Sequence, residues 1–534
     1  MQPSRRISPF CIKWFCRALA IFVFLAVVDF VLDAMFWQKT IADRERIAEP
    51  LPVADFQGRH GNESKLSTIH PIAFRREESD HRLAAHRSAA RLLEQFTLFG
   101  NGDGMFATPK ISLFYRELGI DRGWKGQLIR SVAMGRLGLY SGTNVATGFL
   151  DRSHEDIRII VTGCATCHFG RAAGRDVPGL GNKNIDPYIL GKGIINADAV
   201  FGWLPIDETG EVSEAARNRS IRMAHLLANE QIGNRTQGMV PVANVVRWFY
   251  DQQQVAIPST LTPGAVKVPA LWGYGEKNSG GAFCDGFGDG EREGARNAWA
   301  GMVELSAGNS VRNIREKMEE IGQLEHALGK LLPPAFPGEV DWNLASEGKT
   351  VYSANCQHCH GSYARGGSGF PRFEPPIHFP IELIDTDADR LNIITETVRE
   401  LVAQSPLSAV IRVHPRYRRG YFAPRLDGIW ARFPYLHNGS VPNMLVLLTD
   451  PDKRPSVFDL SEAGEASRFD QQSLGLRAAH IDSDEFRRLQ SKAKAGARDV
   501  YDTTRIGHAN RGHAFGTKLT NPVKFALIEY LKTL

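Results

Sequence analysis

Two stretches of the chain carry one five-residue pattern, Cys164-Ala165-Thr166-Cys167-His168 and Cys356-Gln357-His358-Cys359-His360. Each is Cys-x-x-Cys-His, the arrangement that attaches c-type haem. Cysteines three positions apart reach the two vinyl groups of one porphyrin as thioethers. The histidine that follows offers its imidazole to the iron. On this reading Cys164, Cys167, His168, Cys356, Cys359 and His360 bind two covalently held haem c groups, with His168 and His360 as iron ligands. A zinc site and a redox dithiol compete with it. Zinc takes four ligands, usually in two neighbouring pairs, and these pairs lie far apart in sequence. A thioredoxin-like dithiol asks for a βαβ context, which the flanking Gly163 and Gly361 do not offer.

Composition bounds the rest. A chain of 534 residues holds several domains. With 51 Gly and 28 Pro it should be rich in loops, which suits a protein whose porphyrins supply part of the apolar core. A net charge of +5 is too small for a concentrated basic face, so a nucleic-acid partner is not expected. Of the 7 Cys, the motifs take four; Cys11, Cys16 and Cys284 leave no even set for a disulfide framework.

Thioether-linked haem is attached outside the bacterial cytoplasm, which calls for an export segment. Arg5, Arg6, Lys13 and Arg17 precede the apolar run Ala18 to Val28, with Asp29 and Asp33 interrupting before Trp37. The basic side reads as cytoplasmic. The run suits a signal segment by its core, and a membrane anchor when counted through the two acids. No small-x-small cleavage site stands out. Residues 1–40 are therefore expected to be a signal or inner-membrane anchor that places the protein in the periplasm, and 41–80 a linker.

The elements that must position the motifs follow. A mainly α fold is expected, with two cytochrome c-like haem domains and long loops, at 81–332 and 333–534. Leu83, Leu92, Leu93 and Phe96 mark a helix over about 80–98, and Val311, Ile314, Met318, Ile321, Leu324 and Leu328 one over 310–331. The Gly-rich run after His168 reads as a loop that could lie against a haem face. Pro333 to Gly338 marks the boundary. Beyond it, Leu344, Gly348, Val351 and Tyr352 share one helical face running into Cys356. Asn521-Pro522 opens a terminal helix with Leu527, Ile528, Leu531 and Leu534 on one stripe. A helix before Cys-x-x-Cys-His and a terminal helix resemble the class I cytochrome c fold, where the two cross at a glycine against an aromatic; Gly348 and Tyr530 are the matching pair.

The sixth iron position decides function: a protein donor makes an electron-transfer haem, an open position admits O2 or peroxide. For the first iron, no His occurs between 169 and 224; His225, Met223, Met239 and Met302 are the other donors, and an open site is favoured. For the second, Met444, His378, His414, His437, His480, His508 and His513 are available, with His513 preferred and His437 its rival. The arginines from Arg412 to Arg432 offer bidentate partners for haem propionates, or a solvated basic face.

These residues resemble the bacterial di-haem cytochrome c peroxidase superfamily, and within it the rubber-oxygenase-like branch. The likeness rests on the two haem motifs, on Gly428 to Pro442 with its Pro434-Tyr435-Leu436-His437-Asn438-Gly439 core, on Gly512 to Thr517 and on Tyr530 to Leu534. It covers about 160–534 in outline. The resemblance implies that His168 serves the reactive haem, where peroxide or O2 is used, and His360 an electron-relay haem. The bacterial peroxidases place a second His soon after the first motif, and this chain departs from them there. An oxidoreductase served by a redox partner protein or a small-molecule oxidant is one expectation. A non-catalytic di-haem electron-transfer protein is the alternative.

Overall fold

The computed structural model describes residues 76–95, 149–154, 157–189, 191–192, 195, 221, 224–225, 228, 236–272, 311–363, 378–405 and 419–534. The expected export segment and residues 41–75 of the expected linker lie outside them, whereas 76–80 already belong to a helix. Among the described residues no helix is long and apolar enough to cross a membrane.

Helix α1, Arg76–Gln95, matches the expected first helix, with Ala89 and Leu93 in the core. A hairpin of β1, Phe149–His154, and β2, Ile157–Thr162, leads into the first motif, which forms the single turn α2, Ala165–His168. The Gly-rich run that follows begins as a second hairpin, β3, Phe169–Ala172, and β4, Arg175–Pro178. Ala173 and Gly174 both take positive φ in its two-residue turn, which matches the twist of the flanking strands. Strand β5, Met239–Pro241, pairs with β6, Ala265–Lys267, around helix α3, Ala243–Gln252. The helix expected over 310–331 is two pieces, α4, Val311–Glu316, and α5, Met318–Leu328, with Lys317 outside helical geometry between them. Helix α5 packs on α1.

Helix α6, Trp342–Asn355, starts at Asp341, whose carboxylate accepts from the Asn343 and Leu344 N–H groups. It runs into the second motif turn, α7, Gln357–His360. Strand β7, His378–Pro380, pairs with β8, Gly420–Phe422. Helix α8, Ile381–Ile384, follows β7 directly, and α9, Glu396–Gln404, packs on α3. The chain closes with α10, Asn521–Lys532, whose Pro522 occupies the first turn, where a missing N–H costs nothing.

Helices α6 and α10 form the most extensive helix pair. They cross at Gly348. A Cβ there would sit 1.8 Å from the Ala526 carbonyl oxygen and 2.9 Å from the Tyr530 Cβ, so only glycine permits the approach. Tyr530 and Tyr352 pack at 5.1 Å between ring centroids beside it. This is the crossing expected from the sequence, and it fixes where Cys356 emerges.

One apolar cluster runs through both parts of the chain, joining Leu93, Leu271 and Trp272 to Tyr352, Trp430 and Leu527. The proline-rich stretch 333–338 takes part in the packing. Phe336 sits edge-on to Trp430, and the Pro334 carbonyl accepts from the Trp430 indole N–H.

Candidate haem sites

The two motifs fold alike. His168 N–H donates to the Cys164 carbonyl at 3.0 Å and His360 N–H to that of Cys356 at 2.9 Å. One helical turn thus sets both cysteines and the histidine of each motif on adjoining positions of one face. Burial raises the Cys167 thiol to about 11 and the Cys356 thiol to about 12. A reactive dithiol needs the opposite shift. Among the described residues no group of three or more His, Cys, Asp or Glu is arranged to hold a bare metal ion.

Each motif histidine is oriented by a proline carbonyl. His168 Nδ1 lies 3.1 Å from the Pro269 oxygen, and His360 Nδ1 lies 2.9 Å from the Pro424 oxygen. A carbonyl only accepts, so a proton is on Nδ1, and in a neutral ring the free lone pair is that of Nε2. An outer hydrogen bond of this kind fixes the tautomer of a metal-ligating imidazole and raises its basicity. The sequence hides these partners because they are backbone atoms.

At the second motif another imidazole stands opposite. The His360 and His513 ring centroids are 6.3 Å apart. A metal–imidazole bond of about 2.0 Å, with the ring centre roughly 1.2 Å further on, puts two trans imidazoles about 6.4 Å apart. Burial is the largest cause lowering both histidines; His513, with His360 and Arg454 adding to the effect, falls to about 3. Both rings are therefore neutral donors near pH 7. His513 Nδ1 is buried without a hydrogen-bond partner. Two exposed apolar side chains, Leu383 at 67% and Phe515 at 47%, lie in the segments that the His513 N–H joins by donating to the Ile384 carbonyl. These features fit a haem iron held between the two rings with apolar side chains at hand for the porphyrin.

The His513 loop is held from behind. Arg454 donates to the carbonyls of Asn510 (2.6 Å), Gly512 (2.8 Å), Leu447 (3.0 Å) and His513 (3.2 Å). The Asn438 amide donates to the Gly507 and Ala509 carbonyls at 3.1 and 3.0 Å. The Asp387 carboxylate accepts from Ala509 N–H at 2.9 Å. Gly512 has φ +71° and lies so close to Asp385 that a Cβ would come within 2.3 Å of its backbone.

The other sequence candidates fall elsewhere. His437 stacks on Tyr421 at 4.7 Å, and its carbonyl accepts from Lys267 N–H. Its Nε2 is buried without a hydrogen-bond partner, and burial lowers the ring to about 4. His508 is buried beside Tyr501, His378 packs edge-on to Phe422, and His480 is exposed. Met444 is in the core. His414, Met302 and the Met223 side chain lie outside the described residues. His225 is exposed on the surface, and Met239 is buried against Gly439. Of the arginines, Arg425 pairs with Asp427 at 2.6 Å, and Arg432 donates to the Arg425 and Asp427 carbonyls.

Trp272 links the two surroundings. It lies three residues after Pro269, is 1% exposed, and donates its indole N–H to the Asp427 carbonyl at 2.8 Å. Asp427 stands three residues after Pro424. The Arg432 guanidinium lies 5.3 Å above the Trp272 ring.

Comparison with known proteins agrees with this geometry. Residues 420–459 match the family model for RoxA-like, cytochrome c-like proteins. The matched stretch contains Pro424, Asn438 and Arg454, the groups that orient His360 and the His513 loop. A cytochrome c-like domain implies covalently bound haem c, and the match suggests a c-type cytochrome. Two proteins of Sinorhizobium fredii, called uncharacterized proteins y4iJ and y4iM, are 28% and 26% identical to the chain. The alignments cover 39% and 44% of this chain and 42% and 60% of the relatives, so it spans less than two thirds of either.

Proposed function

We propose that the chain is a two-haem c-type oxidoreductase with unequal sites. The first haem, on Cys164, Cys167 and His168, meets peroxide or O2. The second, on Cys356, Cys359 and His360, relays electrons. The observation that carries the reading is the ring of His513 standing 6.3 Å from that of His360, against a first motif followed by no His from 169 to 224.

Haem c held at the two motifs would supply single-electron chemistry, with a small oxidant reacting at the first site. His168 and His360 would hold the haems through Nε2, with Pro269 and Pro424 fixing their Nδ1–H groups. His513 closes the far side of the second site, and Arg454 and Asn438 keep its loop in place. Trp272 bridges the sites. Its backbone continues to Pro269 on one side, and its indole N–H reaches Asp427, near Pro424, on the other. The Arg432 cation above the indole disfavours removing an electron from it, so the ring serves as a conduit more readily than as a resting radical.

The need to attach haem outside the cytoplasm and the basic-then-apolar segment from Arg5 to Trp37 support a periplasmic protein tethered to the inner membrane. A redox partner protein or a small-molecule oxidant completes the electron balance. The test is an optical titration of the purified full chain with peroxide, O2 and carbon monoxide. One haem of the two is expected to respond. If no ligand perturbs either haem, the protein is a passive carrier and the proposal fails.

A further inference from the structure

The two parts of the chain meet over a cleft beside Arg432. Its walls include Lys183, Gln237 and Lys267, facing Arg432, Phe433 and Tyr501. It backs onto the first motif, because Asn182, beside Lys183, donates its N–H to the Cys167 carbonyl at 2.7 Å. Three of the lining side chains carry basic groups, and among the described residues no Asp or Glu lines the cleft.

The basic groups spend their hydrogen bonds on neutral oxygens. Lys183, 6% exposed, donates to the Arg171 carbonyl at 2.9 Å. Lys267 donates to the Arg432 and Pro434 carbonyls, each at 2.7 Å. Arg432 gives its two terminal nitrogens to carbonyls, and its buried Nε has no acceptor. An ammonium has three N–H donors. Two therefore remain on Lys183 and one on Lys267, besides the Arg432 Nε–H. Lys183 and Lys267 are matched only by carbonyl dipoles and ring faces; burial first and then the neighbouring basic group lower both amines, Lys267 to about 7, whereas Arg432 has the Asp427 carboxylate acting on it. The Phe433 ring lies 4.5 Å from Lys183 Nζ and gives partial relief. Leu180, Met239, Val268 and Leu460 make the rest of the wall apolar.

We propose that Lys183, Lys267 and Arg432 form a carboxylate-binding subsite between the two parts of the chain. A carboxylate offers two oxygens with about four lone-pair positions, which suits the four spare donors. The apolar wall suits a carboxylate carried on an alkyl stem. That chemistry has two sources, the propionate of a bound haem or a free alkyl carboxylate. The first rests on the haem reading above and the second does not.

The test uses the full chain, Lys183→Met, Lys267→Met and the charge-keeping Lys183→Arg. Haem content is measured first, so that a failure of the haem reading is seen separately. Sodium propionate is then titrated calorimetrically, and redox difference infrared spectra read the haem carboxylates. If a haem propionate fills the subsite, added propionate does not bind. The carboxylate band then shifts in both Met variants and returns in Lys183→Arg. If a free carboxylate fills it, propionate binds one to one, and its affinity falls at least tenfold in each Met variant while the haem bands stay fixed. Should one Met variant fail to fold, the other with Lys183→Arg decides. Absence of propionate binding together with haem carboxylate bands that no variant moves overturns the proposal.

Discussion

The two Cys-x-x-Cys-His turns share one local geometry and differ in their surroundings. Both place a histidine against a proline carbonyl, His168 on Pro269 and His360 on Pro424. The second faces His513, on a loop tied down by Arg454, Asn438 and Asp387. The first is followed by a hairpin whose strands and turn carry no His. It is braced instead by α1 and by the Pro269 carbonyl. A motif therefore specifies attachment and one axial ligand, and the loops around it set what the iron is used for.

The bluntest way to break the comparison is to remove one site at a time. Replacing both Cys164 and Cys167 by Ala, or both Cys356 and Cys359, is expected to lower the haem content from two per chain to one. Intact-protein mass spectrometry reads this directly, and a double variant that keeps two haems contradicts the assignment. Gly348→Val comes next. Its Cβ meets the Ala526 carbonyl, so the α6–α10 crossing must open at a cost of about 3 kcal/mol. Chemical denaturation should show this loss, with the second haem perturbed before the first.

His86 sharpens the other side. It lies on α1, is 5% exposed, and accepts from Leu332 N–H through Nδ1. Burial, with Arg87 adding to it, lowers the ring to about 4, below its unfolded value of 6.5. Its contribution is fully present above pH 6.5 and is lost as pH falls toward 4. Between pH 7 and pH 5 the loss is about 2 kcal/mol. His86→Gln should remove that share of the acid sensitivity in denaturant midpoints measured at the two pH values; an unchanged difference contradicts the role. Trp272→Phe has the smallest effect on stability, about 1 kcal/mol for the lost bond to Asp427. Both haem spectra should survive it while electron passage between the sites slows in flash-reduction kinetics. An unchanged rate removes Trp272 from the route.

Much of this arrangement is legible in the sequence. The motifs announce themselves through chemistry that few other functions need. Helices α6 and α10 and their crossing at Gly348 follow from apolar spacing and a cap, because amphipathic faces report directly on packing. The sequence points less clearly to groups whose role is tertiary. Pro269 and Pro424 act through carbonyls, which every residue has. Lys183 and Lys267 read as surface residues, since buried lysines are rare, and only the fold turns them toward one cleft. The stretch from Pro333 to Gly338 has a linker's composition, yet Phe336 is packed on Trp430. The single helix expected over 310–331 breaks at Lys317, although its apolar spacing continues unbroken. Asn438 stands in the segment that carries the family likeness, and its part in holding the His513 loop emerges only from its hydrogen bonds.

The inequality of the two sites is tested most directly by electron paramagnetic resonance of the oxidised full chain beside His513→Ala and His437→Ala. One high-spin and one low-spin ferric haem are expected. The low-spin signal should be lost in His513→Ala and kept in His437→Ala. Two low-spin signals in the unaltered protein, or a low-spin signal that survives removal of His513, would contradict it.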